Sequence, residues 1–141
     1  MAETIQGGCH CGALRYRVIQ RPIDTGYCHC HICQLTTGAP VLAWLHVPTA
    51  GFELTKGTPK VYRSSSWGER WFCSGCGTQL LYRDSEGPTT VDINVGSLDR
   101  PEIARPARHI FTASRIPWFD TADDLPRHEG SMPTGGKAPD T

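Results

Sequence analysis

The sequence lacks an excess of charge of either sign. Its 14 Lys and Arg residues balance 14 Asp and Glu residues, and no run of basic residues stands out. Binding to nucleic acid depends on a basic surface that neutralises phosphates. The neutral balance therefore argues against a nucleic-acid partner, and we expect none.

Long apolar runs are also missing. No run approaches the roughly 20 apolar residues that a membrane-spanning helix needs, and residues 1–6 lack the basic start and apolar stretch of a secretory signal. We therefore expect no membrane association and a cytoplasmic location. In a reducing compartment, clustered cysteines more often bind metal or act in catalysis than form disulfides.

The sequence also lacks any long segment with helical periodicity. Short segments with strand-like patterns, joined by turns rich in Gly and Pro, predict a mainly β fold instead. The predicted strands cover residues 14–18, 41–47, 52–55, 60–63, 70–72, 79–83, 89–95 and 109–111. Pro22 and Gly26 predict a loop that leads to Tyr27.

The length of 141 residues fits one domain. Its apolar content allows only a modest core, and bound metal would help to stabilise a domain of this size. From Glu129 onward the chain is rich in Gly and Pro and poor in apolar residues, so residues 129–141 are predicted to form a disordered tail.

What the chain does have is seven cysteines, all of them in three clusters. The clusters are a C-x-C pair, a C-x-C-x-x-C triplet and a C-x-x-C pair, formed by Cys9 and Cys11, by Cys28, Cys30 and Cys33, and by Cys73 and Cys76. An odd number of thiols cannot all pair as disulfides within one chain. We interpret them as zinc ligands, four for a closed site and three for a site with an open position.

The two outer pairs predict a closed structural zinc site. Zinc takes four thiolate or imidazole ligands in a tetrahedron, with Zn–S distances of about 2.3 Å. The turn at Cys73 and Cys76 contains glycines that permit a tight backbone, and Cys9 and Cys11 on an extended segment would present both thiols on one face. The alternative, a redox dithiol at the C-x-x-C pair, lacks the βαβ surroundings of such motifs.

The middle triplet leaves two interpretations open. Three ligands with a fourth position free for water or substrate are typical of a catalytic zinc, whereas His29, His31 or a distant histidine in that position would close a second structural site. The division of the seven cysteines between the two sites is open as well. Spacing also allows one site made of Cys30, Cys33, Cys73 and Cys76, with Cys9, Cys11 and Cys28 left over.

Three motifs carry a resemblance to a known family. They are Gly-Cys-His-Cys-Gly-Ala at residues 8–13, Cys-His-Cys-His-Ile-Cys at residues 28–33 with Thr-Gly at 37–38, and Phe-Cys-Ser-Gly-Cys-Gly at residues 72–77. Together with residues 96–99, 109–111 and 117–118, they resemble the glutathione-dependent formaldehyde-activating enzyme (GFA) family, which includes the centromere protein V domain. The resemblance covers residues 5–128 and marks them as the domain. It implies a β-tent fold of small antiparallel sheets stapled by zinc.

The resemblance also implies a role for each cysteine and two zinc ions per chain. The structural zinc ligands would be Cys9, Cys11, Cys73 and Cys76, and the catalytic zinc ligands would be Cys28, Cys30 and Cys33. The family's reaction adds glutathione to formaldehyde to give S-hydroxymethylglutathione, and its reverse is a carbon–sulfur lyase reaction. We therefore expect a lyase of this type that takes glutathione as a possible co-substrate with formaldehyde or a related aldehyde. The alternative is a non-catalytic, zinc-stabilised binding module, which a protein ligand in the fourth position would favour.

Six further residues are candidates beside the open position, namely Arg63 and Arg70, His29 and His31, and Trp67 and Trp71. The arginines could bind the carboxylates of glutathione, although surface arginines are more commonly solvated. The histidines could act as acid–base groups or support the ligands. The tryptophans could line a pocket, but core packing is the more common role. None of the six is assigned a catalytic role.

Overall fold

The computed structural model describes residues 4–132. Within them the chain forms ten strands, one short α-helix and four 3-10 turns. The strands are β1 (Ile5–Gly8), β2 (Arg15–Val18), β3 (Asp24–Cys28), β4 (Leu42–Pro48), β5 (Phe52–Lys56), β6 (Lys60–Tyr62), β7 (Gly68–Phe72), β8 (Gln79–Asp84), β9 (Thr90–Asn94) and β10 (His109–Ile110). The helix α1 is His31–Thr37, and the 3-10 turns are Thr49–Gly51, Val95–Ser97, Pro101–Ile103 and Thr112–Ser114.

The strands form two sheets. The smaller sheet has the order β1-β2-β5, and the larger has the order β10-β3-β4-β9-β8-β7-β6. All pairings are antiparallel except β3 with β10, which is parallel. The prediction of a mainly β fold with antiparallel sheets is confirmed, and the parallel pair is an addition to it.

The core lies between the two sheets. Along β4 and β9 the inward side chains alternate with outward ones, as expected for strands with one buried face. Leu45 and Ile93 are directly paired across these strands, and both are almost fully buried. Tyr16 of β2 closes the core from the smaller sheet, where its hydroxyl lies 2.6 Å from Ser97 Oγ. Each large buried apolar side chain contributes about 1.5–3 kcal/mol to folding.

The predicted loop before Tyr27 is wrong, because Gly26 lies inside β3. Gly26 is paired with Trp44 of β4, and a Cβ at this position would lie 2.4 Å from Trp44 Cζ2. The glycine thus marks the close approach of an indole ring to the strand rather than a turn.

The helix α1 did not appear in the sequence pattern either. It has seven residues, which is too short for a periodic signal. Its N-cap is Cys30, whose Sγ accepts the N–H of Cys33 at 3.2 Å, and it ends at Gly38 with φ 69°. A thiol is not among the side chains that usually mark a helix start.

Beyond β10 the chain loops round, and residues 126–130 run parallel to β10. The His128 N–H donates to the His109 carbonyl at 2.9 Å, and the Phe111 N–H donates to the Gly130 carbonyl at 2.8 Å. Most of the predicted tail, residues 133–141, lies outside the described residues, so its disorder stays a prediction. No helix among the described residues is long and apolar enough to cross a bilayer.

Candidate metal centres and the cleft beside them

Four cysteines from opposite parts of the sequence meet at one point. The Sγ atoms of Cys9, Cys11, Cys73 and Cys76 all lie within 4.8 Å of one another. Cys11 Sγ lies 3.6 Å from Cys9 Sγ and 3.7 Å from Cys73 Sγ. A tetrahedron with Zn–S arms of about 2.3 Å has edges of about 3.8 Å. The donor set and its spacing therefore fit a closed zinc site.

Two tight turns build this four-cysteine group. The Gly12 N–H donates to the Cys9 carbonyl at 3.1 Å, and the Gly77 N–H donates to the Cys73 carbonyl at 2.8 Å. Both glycines have φ of 81°, which favours glycine. The expectation that Cys9 and Cys11 lie on an extended segment is wrong, because the Gly12 N–H bond to the Cys9 carbonyl makes residues 9–12 a turn. The turn is what brings the thiols together.

The group also joins the two sheets. Cys9 directly follows β1 of the smaller sheet, and Cys73 directly follows β7 of the larger sheet. Backbone and hydroxyl donors surround the sulfurs: the Leu14 N–H donates to Cys9 Sγ at 3.2 Å. Hydrogen bonds from the side chain and backbone of Thr78 lower the pKa of Cys76 to about 5. Such donors favour thiolates, which are the form that binds metal.

The remaining three cysteines form a second group at the end of β3. The Sγ atoms of Cys28, Cys30 and Cys33 lie within 4.8 Å of one another, and all three residues are buried. Cys28 is the last residue of β3, Cys30 caps α1, and Cys33 lies in the first turn of the helix. Among residues 4–132, no further His, Cys, Asp or Glu side chain joins this group.

The electrostatics of the three-cysteine group call for a cation. Hydrogen bonding with Cys30 and Cys33, together with burial, raises the pKa of Cys28 well above its ordinary value. Hydrogen bonding with Cys28 and Cys30 and the nearby charge of Arg70 lower the pKa of Cys33. Buried thiolates at this separation repel one another unless a positive charge lies among them. Three soft donors with a fourth position left over fit zinc.

Arg70 supplies one positive charge beside this group. Its Nη1 donates to Cys33 Sγ at 3.4 Å, its Nε donates to Ser64 Oγ at 3.1 Å, and its guanidinium lies 5.2 Å from the centre of the Tyr82 ring. Arg70 is only 4% exposed, so the expectation of a solvated surface arginine is wrong for it. That expectation holds for Arg63, which is exposed.

The two histidines of the motif have different surroundings. His29 is buried, and its Nε2 lies 2.8 Å from Nδ1 of His109. His109 in turn contacts the carboxylate of Asp123 at 3.3 Å. His31 is exposed and contacts the Gln34 side chain at 3.2 Å. Neither histidine of the motif joins a cysteine group.

The three-cysteine group opens on a cleft of about 730 Å³. Its aromatic lining residues are Trp44, Trp67, Tyr82 and Phe111. Trp71 instead packs against the core and lies beneath the guanidinium of Arg83, whose Cζ is 4.6 Å from the ring centre. Of the two predicted tryptophans, one therefore faces the cleft and one belongs to the core.

A row of polar side chains crosses the larger sheet along the cleft. It runs over five strands, β7, β8, β9, β4 and β3, with each residue paired to the next: Arg70, Tyr82, Asp92, His46 and Asp24. All five line the cleft. His46 Nδ1 forms a short contact with Asp92 Oδ1. Sequence reasoning missed this row, although the alternation of each strand places these residues opposite the core face.

The fold and the two cysteine groups define a small β domain able to hold metal, and comparison with known proteins adds the family. A family model described as glutathione-dependent formaldehyde-activating enzyme matches residues 4–114. The chain belongs to this family.

Two relatives and one solved structure are similar to this chain. A Halomonas elongata protein, named provisionally as a glutathione-dependent formaldehyde-activating enzyme, is 30% identical over 125 residues, covering 82% of this chain and 80% of its own. An uncharacterized lyase of Schizosaccharomyces pombe is 30% identical over 89 residues, covering 63% of this chain and 64% of its own. The crystal structure of a Rhodobacter sphaeroides protein matches with a TM-score of 0.58 at 20% identity, covering 72% of this chain and 96% of that one. This last likeness concerns the fold alone.

Proposed function

We propose that the protein is a zinc-dependent carbon–sulfur lyase that forms and cleaves the adduct of a small thiol with formaldehyde or a related aldehyde. The observation that carries this proposal is the position of Cys28, Cys30 and Cys33. They are three buried sulfurs that open on a cleft, and no fourth His, Cys, Asp or Glu side chain joins them among residues 4–132. Family membership supports this reaction class.

The reaction needs no oxidant or reductant. The thiol sulfur forms a bond to the carbonyl carbon, the carbonyl π bond breaks toward oxygen, and the thiol proton is returned to that oxygen. The product is an S-hydroxyalkyl thioether, and cleavage follows the same path backwards. Bound at this group, zinc would supply Lewis acidity and a positive charge that favours thiolate.

The chain's own residues would prepare the site. The Cys33 N–H and the Arg70 guanidinium both donate to sulfurs of the group, at 3.2 and 3.4 Å. These donors stabilise negative charge on sulfur and fix the geometry before a substrate arrives. The aromatic lining, with Trp44 at 5% exposure, would limit water around the reacting carbon.

The four-cysteine group has a different part in this proposal. We assign it a structural zinc, because Cys9, Cys11, Cys73 and Cys76 already supply a complete tetrahedral donor set. The metal would hold β1 against the β7–β8 hairpin. A cytosolic location and small-molecule partners complete the proposal.

Exchange spectroscopy with ¹³C-labelled formaldehyde tests the reaction. Free and thiol-bound formaldehyde interconvert without a catalyst, so the quantity to measure is the acceleration of that exchange per mole of protein, with glutathione and with smaller thiols. We expect acceleration that scales with protein concentration and disappears in Cys30→Ser. Exchange no faster than in buffer, with every thiol, would refute the lyase and leave a zinc-stabilised binding module.

A further inference from the structure

The cleft beside the three-cysteine group is lined mainly by negative charge. Four carboxylates line it, from Asp24, Asp84, Glu86 and Asp92. Among the lining residues of the described chain, 4–132, Arg70 is the one Lys or Arg side chain. The net formal charge of the lining is therefore negative whichever protonation state His46 takes. Zinc held by three thiolates would not reverse this sign.

The basic side chains in and around the cleft are already engaged. Arg70 contacts Cys33 Sγ, Ser64 Oγ and the Tyr82 ring. His46 is bound to Asp92. Arg108 is paired with Asp24 at 2.9 Å. The two arginines therefore already have partners within the protein itself.

Arg63 is a further cation near the mouth of the cleft. Its Nη2 reaches the Ser66 carbonyl at 3.4 Å and the Ser85 hydroxyl at 3.3 Å, and both serines line the cleft. Arg63 itself is exposed and outside the lining. Glu86 is exposed as well, so solvent screens both Arg63 and Glu86, and neither decides the sign of the cleft. The remaining lining still has three carboxylates, from Asp24, Asp84 and Asp92, against the single guanidinium of Arg70.

Three of the four carboxylates lie on or beside two neighbouring strands: Asp84 ends β8, Glu86 follows two residues later, and Asp92 lies on β9. Tyr82 donates its hydroxyl to Asp84 Oδ1 at 3.2 Å, and Tyr82 is paired with Asp92 on the neighbouring strand. Burial and the charge of Asp84 raise the pKa of Tyr82, so the phenol stays a neutral donor. Tyr82 therefore offers Asp84 a hydrogen bond but no positive charge.

From this distribution of charge we infer that the cleft selects a thiol whose non-reacting end is uncharged or cationic, as in a small aminothiol, over glutathione. The inference rests on the proposed function and specifies its substrate class. Glutathione brings two carboxylates, and burying a carboxylate in a cleft of net negative charge costs both desolvation and repulsion. An ammonium group would instead meet Asp84, Glu86 and Asp92.

Thiols matched in length test the inference. Cysteamine, 2-mercaptoethanol and 3-mercaptopropionate share a two-carbon chain and differ in the charge at its end. Their binding to the zinc-loaded protein is followed by the fluorescence of Trp44 and Trp67, which line the cleft. We expect dissociation constants in that ascending order, with about tenfold between the cationic and anionic thiols, and glutathione on the weak side.

A double variant, Asp84→Asn with Glu86→Gln, identifies the residues responsible. The amide introduced by Asp84→Asn would keep an oxygen that accepts the Tyr82 hydroxyl, so the fold should tolerate the change. We expect the tenfold preference to shrink to about threefold or less at low salt. Glu102→Gln removes one exposed carboxylate outside the cleft and is the matched control; it should leave the preference unchanged.

Several outcomes would overturn the inference. They are equal or tighter binding of 3-mercaptopropionate or glutathione than of cysteamine, no binding of any thiol, or a preference that survives in the double variant. The exchange assay separates this from the proposed function. Catalysis with glutathione as the best thiol would refute the inferred thiol preference and support the lyase. The expected binding order without catalysis would support the thiol preference and refute the lyase.

Discussion

The two cysteine groups differ in a way that burial alone does not predict. Two members of the four-cysteine group, Cys11 and Cys76, are exposed, whereas Cys28, Cys30 and Cys33 are all buried. The group that we assign to structure is thus the more exposed of the two. What separates the groups is the number of sulfurs and the neighbouring space, because the buried group opens on a cleft of about 730 Å³. The role of a cysteine group is therefore better indicated by whether its donor set is complete and whether it opens on a cleft than by how deeply it is buried.

Replacing Cys73 by Ser should have the largest effect on the fold. It removes a ligand from the group that joins β1 to β7, and structural zinc contributes about 10–16 kcal/mol to the folding of small domains. We expect a loss of at least about 4 kcal/mol in the free energy of unfolding, measured by thermal or urea unfolding. An unchanged melting temperature would show that this group does not hold the sheets together.

Replacing Cys30 by Ser should distinguish the roles of the two cysteine groups most clearly. We expect adduct exchange to fall to the rate in buffer, while the melting temperature changes little. Serine is a good N-cap, so α1 should keep its first hydrogen bond. If this variant unfolds and Cys73→Ser remains folded, the structural and catalytic roles have been assigned the wrong way round.

Replacing Arg70 by Lys should have an intermediate effect, confined to the cleft. Lysine keeps the charge but cannot contact Cys33 Sγ and Ser64 Oγ together as the planar guanidinium does. We expect exchange to slow by about tenfold with the four-cysteine zinc retained. Arg63→Lys is the control, since Arg63 is exposed, and it should leave the rate nearly unchanged. Equal effects of the two substitutions would argue that Arg70 acts only through overall charge.

Gly26→Ala should have a moderate effect on stability, smaller than that of Cys73→Ser. The new Cβ would lie 2.4 Å from Trp44 Cζ2, so the indole must move, at a cost of about 1–3 kcal/mol. Because Gly26 is two residues from Cys28, we also expect weaker metal retention by the three-cysteine group. At Gly96 an added Cβ has no neighbour within 4 Å, so Gly96→Ala should be close to neutral in urea unfolding. A neutral Gly26→Ala would mean that Trp44 is not held against β3.

Most strands could be predicted from the sequence because their pattern is local. Alternation and turn residues placed β2 and every strand from β4 to β10 close to their observed bounds, and β1 and β3 were missed. The helix α1 could not be predicted in this way, since it is short and begins at a thiol. The strand β3 was missed because Gly26 is explained only by Trp44, 18 positions later in the sequence.

The candidate site was predictable only in part for a related reason. The cysteine spacing indicated two metal groups and left their partition open, and the family resemblance implied the grouping that the structure brings together. The burial of Arg70 depends on Cys33, which is 37 positions away. The polar row depends on the register of five strands, so no single segment contains its signal.

Zinc content per chain tests the central claim most directly. Elemental analysis of protein purified without chelator and then supplied with zinc should give two zinc ions per chain for the wild type, and one for Cys30→Ser with its fold intact. One zinc ion in the wild type, unchanged by added zinc and retained in Cys30→Ser, would contradict the account. The four-cysteine group would then be the structural zinc site, and the three buried cysteines would bind no metal.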